Sequence, residues 1–352
     1  MTVPVRNIFD GPFGGEFMRD GMRAWTRRDL LKLSAFAIAT PVLAQVRGGQ
    51  RGQAAQPGTQ LVLLGTQGGP GVTANRNQAS NAVIVDGRAY LVDCGYGALK
   101  SAVQAGLTLA SISNVFITHL HDDHTADIAA LLALKWTGTQ NPGEATIHGP
   151  YGTAAMVEAA IAFSRANVEI RKVDEGRTVD PKTIFRGRDL NAPKITEVFK
   201  DDRVTVLAVE NAHFPDRAKA KMDYRSFAYR FNTANRSIVF SGDTAYSENL
   251  IELAREADLF VCEVLGTANG QNANARGAAP ASNNTESIAR HVRETHSTPE
   301  EVGKMAAAAR VKTVVLTHQV GGARGGNNDP YTADIKKVFS GDVIVGADQM
   351  RL

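Results

Sequence analysis

The segment Thr118-His119-Leu120-His121-Asp122-Asp123-His124 restricts the fold more than any other stretch of this chain. It packs three imidazoles and a carboxylate into positions 119–124, in a chain with only eight histidines among 352 residues. A β-branched and aromatic run at 114–118 precedes it. Residues 125–136, with apolar side chains at helical spacing, follow it. A strand that hands over to a helix through such a turn belongs to an α/β architecture. On an extended turn His119 and His121 point the same way and can share one ion. Asp123 and His124 come from the next turn and can reach a second ion. Imidazole nitrogen suits zinc, and carboxylate oxygen can complete a second site.

The rest of the chain continues the alternation. Residues 60–65 read as a strand, and 82–86 and 89–93, separated by Gly87-Arg88, as a hairpin. Further strands are expected at 145–148, 204–209, 226–231, 237–241, 259–264, 313–317 and 342–345. Helices are expected at 98–105, 152–166, 285–293 and 299–310. The last is opened by Thr298-Pro299-Glu300-Glu301, which has capping-box spacing. In each half antiparallel strands come first, then strands alternating with helices. The expected fold class is α/β: an αββα sandwich of two mixed β-sheets flanked by helices. Residues 266–284, rich in Gly, Ala and Asn, read as a long polar loop that shapes the pocket.

The N-terminus reads as an address. Thr26-Arg27-Arg28-Asp29-Leu30-Leu31-Lys32 precedes an apolar stretch at 33–43, long enough for a signal h-region and too short to span a bilayer. Val42-Leu43-Ala44 offers a small-residue cleavage site. The paired arginines resemble a twin-arginine export signal. The expected organisation is a signal at 1–44, a flexible linker at 45–59 and one α/β domain at 60–352. The expected location is the periplasm or outside the cell, with the twin-arginine export machinery as a partner. No run of 18 apolar residues exists, so no membrane span is expected. Of 39 basic and 36 acidic residues, six and four lie within 1–44, leaving 33 and 32 beyond it. That balance gives no support for whole-surface attraction to nucleic acid. Cys94 and Cys262 are too few for a disulfide framework and read as small buried strand residues, with a bridge between them left open.

The histidine cluster resembles the HxHxDH motif of the metallo-β-lactamase superfamily, matched by His119, His121, Asp123 and His124. Other landmarks of that superfamily follow in order over residues 60–345. Asp93, in Leu91-Val92-Asp93-Cys94-Gly95, matches the residue that orients the metal-binding loop. His213, Asp243 and His318 match the later ligands. The resemblance implies two Zn2+ per chain, with Mn2+ or Fe2+ as other candidates. His119, His121 and His213 would hold one ion, Asp123, His124 and His318 the other, and Asp243 would bridge. Asp93 would support them from behind. Members that open β-lactams often carry Cys where Asp243 stands, and di-iron redox members carry Glu in place of His121, so a hydrolytic zinc site is implied.

Four features are similar to the ribonuclease Z branch, which includes zinc-type arylsulfatases and some cyclic-nucleotide phosphodiesterases. These are Leu64-Gly65-Thr66-Gln67-Gly68-Gly69-Pro70, Ser226-Phe227-Ala228-Tyr229-Arg230-Phe231, Glu263, and His296-Ser297-Thr298. The resemblance makes His296 an acid or oxyanion partner, Glu263 its orienting carboxylate, and Asp123 a proton acceptor as well as a ligand. His148 and His291 match no motif and read as structural. Two departures separate the chain from tRNA processing. Only 29 residues lie between His213 and Asp243, too few for a basic tRNA-gripping arm, and Gln319-Val320-Gly321-Gly322 replaces the usual residues after the last ligand. The expected function is an exported dinuclear zinc hydrolase that cleaves a phosphodiester or sulfate ester by attack of a metal-bridging hydroxide. A small ester is the expected partner, without tRNA, and a homodimer is left open. The alternative is a ribonuclease Z-type tRNA 3′-processing endoribonuclease. A lactonase-like hydrolase or a non-hydrolytic zinc-binding module stands third.

Overall fold

A computed structural model of the chain describes residues 58–265, 285–320 and 330–352. The expected signal at 1–44, nearly all of the linker and the loop at 266–284 lie outside the described residues. So do Gly321 and Gly322. No helix among the described residues is long and apolar enough to cross a membrane.

The first sheet contains β1 (Thr59–Gly65), β2 (Ser80–Val85), β3 (Arg88–Val92), β4 (Ile112–Phe116), β5 (Ala145–Gly149) and β6 (Phe185–Asp189), side by side in chain order. The second contains β7 (Thr196–Lys200), β8 (Val204–Glu210), β9 (Phe227–Thr233), β10 (Ser237–Phe240), β11 (Leu259–Leu265), β12 (Thr313–Val320) and β13 (Asp342–Val345), again in chain order. Each sheet begins antiparallel and turns parallel, at β3–β4 in one and at β10–β11 in the other.

Strand alternation explains the layering. In β1, Leu61 and Leu63 enter one apolar cluster, and Val62 and Leu64 enter another. In β11, Leu259 and Val261 join the cluster of Leu61, while Phe260, Cys262 and Val264 face a third. Side chains two apart share a face, so apolar runs such as these are buried on both sides. The shared cluster, with Phe116, Tyr229, Phe231 and Phe240, fills the space between the sheets.

Helices cover the outer faces. From the first half come α1 (Ala98–Gln104), α2 (Asp122–Thr125), α3 (Ile128–Thr137), α4 (Thr153–Phe163), α5 (Arg165–Asp174) and α6 (Pro181–Ile184). From the second come α7 (Asp216–Lys219), α8 (Glu248–Leu253), α9 (Thr285–Thr295), α10 (Pro299–Ala309) and α11 (Pro330–Lys336). Leu99 of α1, Leu131 of α3 and Val157 of α4 pack on the first sheet. Leu250 of α8, Met305 of α10 and Ile335 of α11 pack on the second. The result is an αββα sandwich of two mixed sheets.

Several local expectations change. The helix expected at 125–136 starts later, as α3 at Ile128, and Thr125 instead closes the separate turn of α2. Asp127, at the break, spends its carboxylate on the backbone N–H groups of Gly97 and Leu99, 3.1 Å each, at the start of α1. The helix expected at 152–166 ends at Phe163, and α5 follows it unanticipated, because its polar sequence buries only Val168. The strands β6 and β7 also escape sequence reading. Each lies at a sheet edge and buries one residue, Phe185 or Val198, so neither shows a full apolar alternation. Cys94 and Cys262 are free and lie in different apolar clusters, under helices on opposite faces, so no bridge joins them.

His148 is structural. Its ring stacks on Phe116 at 4.8 Å and its Nε2 lies 3.1 Å from Asn114 Oδ1. Burial, and secondarily Arg188, pushes its pKa down to about 4. The folded chain therefore refuses a proton that the unfolded chain accepts below about 6.5. This destabilisation is absent above pH 6.5, grows as pH falls, and levels off below about 4. At about 1.4 kcal/mol per unit it amounts to about 3 kcal/mol. Urea unfolding at pH 7 and pH 4.5, in chelator throughout, should show a smaller acid loss for His148→Phe than for the parent. Equal losses would remove His148 from the acid response.

Candidate metal centre

The site forms where strands end. Ile117 N–H still bonds His148 O of β5, at 2.7 Å, so the chain leaves the first sheet at Thr118. His121 is extended (φ −66°, ψ 152°) and caps the single turn of α2, which carries Asp123 and His124. The change from extended to helical backbone gathers all four side chains at one rim. In the second sheet Asn211, just past β8, donates to Ser241 O at 2.7 Å and accepts from His213 N–H at 3.2 Å. Gly242, with φ +59°, comes next. A Cβ there would stand 2.9 Å from Phe227 O and from Thr118 Cβ, so only glycine lets the chain deliver Asp243 between the strand ends. In β12, Thr317 pairs with Glu263 and Gln319 with Val264, which leaves His318 bulged at φ +42° and turned out of the ladder.

Three nitrogens converge first. His121 Nδ1 lies 2.9 Å from His119 Nε2 and 3.3 Å from His213 Nε2. A second group forms beside it. His318 Nε2 is 3.2 Å from Asp123 Oδ2, and His124 Nε2 is 3.8 Å from the same oxygen. Asp243 stands between the groups, 3.3 Å from His124 Nε2, 3.2 Å from His318 Nε2 and 3.9 Å from His119 Nε2. The structure thus brings together all seven residues expected to hold metal, in the two groupings expected, and buries all but His121, which is partly open.

His124 and His213 are oriented from behind. Asp93 accepts from Thr118 N–H at 2.8 Å and lies 2.8 Å from His124 Nδ1. His213 Nδ1–H donates to Thr295 O at 3.1 Å. These bonds turn the other ring nitrogens inward. Burial, with His124 and His213 nearby, holds His119 well below the usual imidazole range, and burial does the same to His213. Burial alone would raise Asp243, but His318 and His124 beside it hold its carboxyl well below the usual range. Burial would lower His124 and His318 too, but Asp243 beside them raises both, so an ion binding there must displace their protons; neutral imidazoles and ionised carboxylates are the forms that bind metal.

A divalent cation fits this set. His124 Nε2 and Asp243 Oδ1 face each other, buried, without an aligned hydrogen-bond partner. Buried polar atoms left in that condition are costly, and a shared cation would satisfy both. Nitrogen and oxygen donors in this proportion suit zinc.

His296 and Glu263 adjoin the second group. His296 Nδ1 lies 2.7 Å from Glu263 Oε2 and 3.8 Å from Asp243 Oδ2. Glu263 also accepts from Thr244 N–H, and Ser297 Oγ bonds Thr244 O at 2.6 Å, so the pair is locked to the loop after Asp243. Burial opposes charge on His296, but Glu263 outweighs it and its pKa is pushed up to about 9. Two further rings escaped sequence reasoning. His291, read as structural, has its ring centroid 5.8 Å from His213 and 5.7 Å from His296. Phe214 lies 4.7 Å from His213. The only hint for His291 was its helix, which ends where His296 begins.

The Beta-lactamase superfamily domain matches this chain over residues 88–319, and so spans both groups of donors. The chain belongs to the metallo-β-lactamase superfamily. Within it, the ribonuclease Z of Mycobacterium avium is 30% identical over 303 residues, covering 83% of this chain and 97% of that protein. The solved structure of the metallo-beta-lactamase fold protein YhfI from Bacillus subtilis superimposes with a TM-score of 0.59 at 20% identity, covering 84% and 99% of the two chains. Human tRNase Z, short form, gives a TM-score of 0.59 at 20% identity, covering 83% and 98%. The superfamily match and the ribonuclease Z relative at 30% identity imply a metal-dependent hydrolase.

Proposed function

We propose that this chain is a dinuclear metal-dependent phosphodiesterase of the ribonuclease Z type, cleaving RNA at a phosphodiester bond. The observation that carries the reading is the His296–Glu263 pair, 2.7 Å apart, standing beside an Asp243 shared by two groups of metal donors. Relatives named ribonuclease Z, at 30% identity over most of both chains, favour a phosphodiester over a sulfate ester. Bound by these donors, divalent ions supply Lewis acidity and lower the pKa of water. The chain's own groups do the rest. His296 commits Nδ1 to Glu263, so Nε2 is the atom left to meet the departing oxygen and hand it a proton. Glu263 holds that tautomer and ring angle. Asp123, beside His124 and His318, is the carboxylate we assign to accept the proton of the attacking water while serving as a ligand.

A second reading, a small phosphodiester as substrate, rests on the short passage from His213 to Asp243. It holds only α7, β9 and β10, the last two joined by a tight hairpin. Affinity for a whole tRNA comes largely from contacts to many phosphates, and this passage offers little surface for them. Periplasmic export, proposed from the arginine pair, favours the same reading. The test is a panel of pre-tRNA, bis(p-nitrophenyl) phosphate, an aryl sulfate and a lactone, assayed with zinc. Chelator-sensitive turnover of diesters is expected. Cleavage of pre-tRNA at its mature 3′ end supports the ribonuclease reading, and diester turnover without RNA cleavage supports the second. Turnover of sulfate or lactone but of neither phosphate substrate would overturn both.

A further inference from the structure

The sequence of the loop after β5 places Tyr151 and Gly152 at the carboxyl end of a strand that runs parallel to β4. Because Ile117 pairs with His148, Tyr151 leaves the sheet at the same end as His119 and His121, one strand away. In mixed sheets that end is where ligands settle, outside the carboxyl ends of parallel strands. Tyr224 arrives from the other sheet, three residues before β9, on the passage that follows His213. The two tyrosine rings meet with centroids 5.9 Å apart and planes at 44°. Both remain open to solvent, Tyr151 by 55% and Tyr224 by 46%.

Their position is fixed from beneath. Gly152 has φ +99°, and a Cβ added to it would lie 2.9 Å from the Tyr224 ring and 3.0 Å from Leu120 Cδ1. The Tyr224 ring and the Leu120 side chain therefore close over the same glycine. Leu120 is the residue between His119 and His121, so the tyrosines sit against the loop that carries the first group of donors. Two rings held open beside a hydrolytic centre offer a planar apolar surface, which aromatic partners cover by offset or edge stacking.

We propose that Tyr151 and Tyr224 form a stacking shelf for a planar ring carried on the ester, a nucleobase or an aryl group, and so select aromatic phosphodiesters. This rests on the phosphodiesterase reading above. Stacking of one base on an aromatic side chain is typically worth about tenfold or more in binding.

Three diesters that all release p-nitrophenolate isolate the effect: thymidine 5′-(p-nitrophenyl phosphate), phenyl p-nitrophenyl phosphate and methyl p-nitrophenyl phosphate. In the zinc-loaded chain the kcat/KM ratio of each diester with a ring on its non-leaving group to the methyl diester, whose one ring is the p-nitrophenyl group shared by all three, is measured, which cancels any loss of folded protein. Tyr224→Ala or Tyr151→Ala should lower a ratio by about tenfold, through KM, and Tyr224→Phe should preserve it. A fall for the thymidine ester alone assigns the shelf to a nucleobase, and a fall for the phenyl ester alone assigns it to an aryl group. Unchanged ratios in both alanine variants, or a loss in Tyr224→Phe equal to that in Tyr224→Ala, would overturn the shelf. Saturation-transfer NMR from the protein to the ring protons of adenosine gives a readout without hydrolysis. Transfer should be strong in the parent and weak in the Tyr151→Ala/Tyr224→Ala double variant, and equal transfer would overturn the shelf. If no diester is turned over, the phosphodiesterase reading fails while this measurement still decides the shelf.

Discussion

Asp243→Ala should lower hydrolysis by more than about a thousandfold, the scale set by losing several kcal/mol of charge stabilisation. Metal content, measured on the purified protein, should fall from about two ions per chain toward one or fewer. The reason lies in its neighbours. Asp243 is buried within 4 Å of His119, His124, His296 and His318, and among the described residues it is the one carboxylate grouped with donors of both sets. Its removal leaves those imidazoles without a shared anion and divides one centre into two incomplete ones. His119→Ala should act in the same direction from the first group. Circular dichroism and thermal unfolding of the variants show whether the fold survives. Full turnover with stoichiometric metal removed would dispose of the metal mechanism altogether.

His296→Ala should slow esters with poor leaving groups by about 10²–10⁴, the usual range for a general acid. The loss should be much smaller with p-nitrophenolate, which departs without a proton. Glu263→Gln should reproduce part of the effect, because Glu263 is fully buried and holds His296 Nδ1. Rates for a graded set of leaving groups give the decisive measurement. A parallel drop at every leaving-group pKa would take His296 out of the acid role and leave it with the oxygens that stay on phosphorus.

The layered fold was legible because its determinants are local. Short apolar runs bounded by glycine, such as Leu61-Val62-Leu63-Leu64 before Gly65, read as buried strands, and Thr298 with Glu301 forms the capping box that its spacing announced, at 2.8 Å and 3.3 Å. The donor residues were legible through chemistry and resemblance. The resemblance implied their groupings as well, but the backbone path that makes them needed the structure, because Asp243 and His318 reach the HxHxDH loop through a left-handed glycine and a bulge that no periodicity encodes. The edge strands β6 and β7 and the helix α5 stayed hidden because they bury a single residue each and so lack the alternation that betrays a packed element. His291 stayed hidden for a different reason. A helix brings it to the site from a part of the sequence without a motif, and only tertiary packing reveals which way it faces.

The donors do not come from one side of the molecule. His119, His121, Asp123 and His124 leave the end of the first sheet, while His213, Asp243 and His318 leave the second. An ion held by both is therefore a fastener across the seam between the two halves of the chain, in addition to any chemistry it performs. Each such ion, at a free concentration a thousand times its Kd, adds about 4 kcal/mol to the work of separating them. The durability of this molecule then becomes a property of its surroundings, set by how much metal they hold.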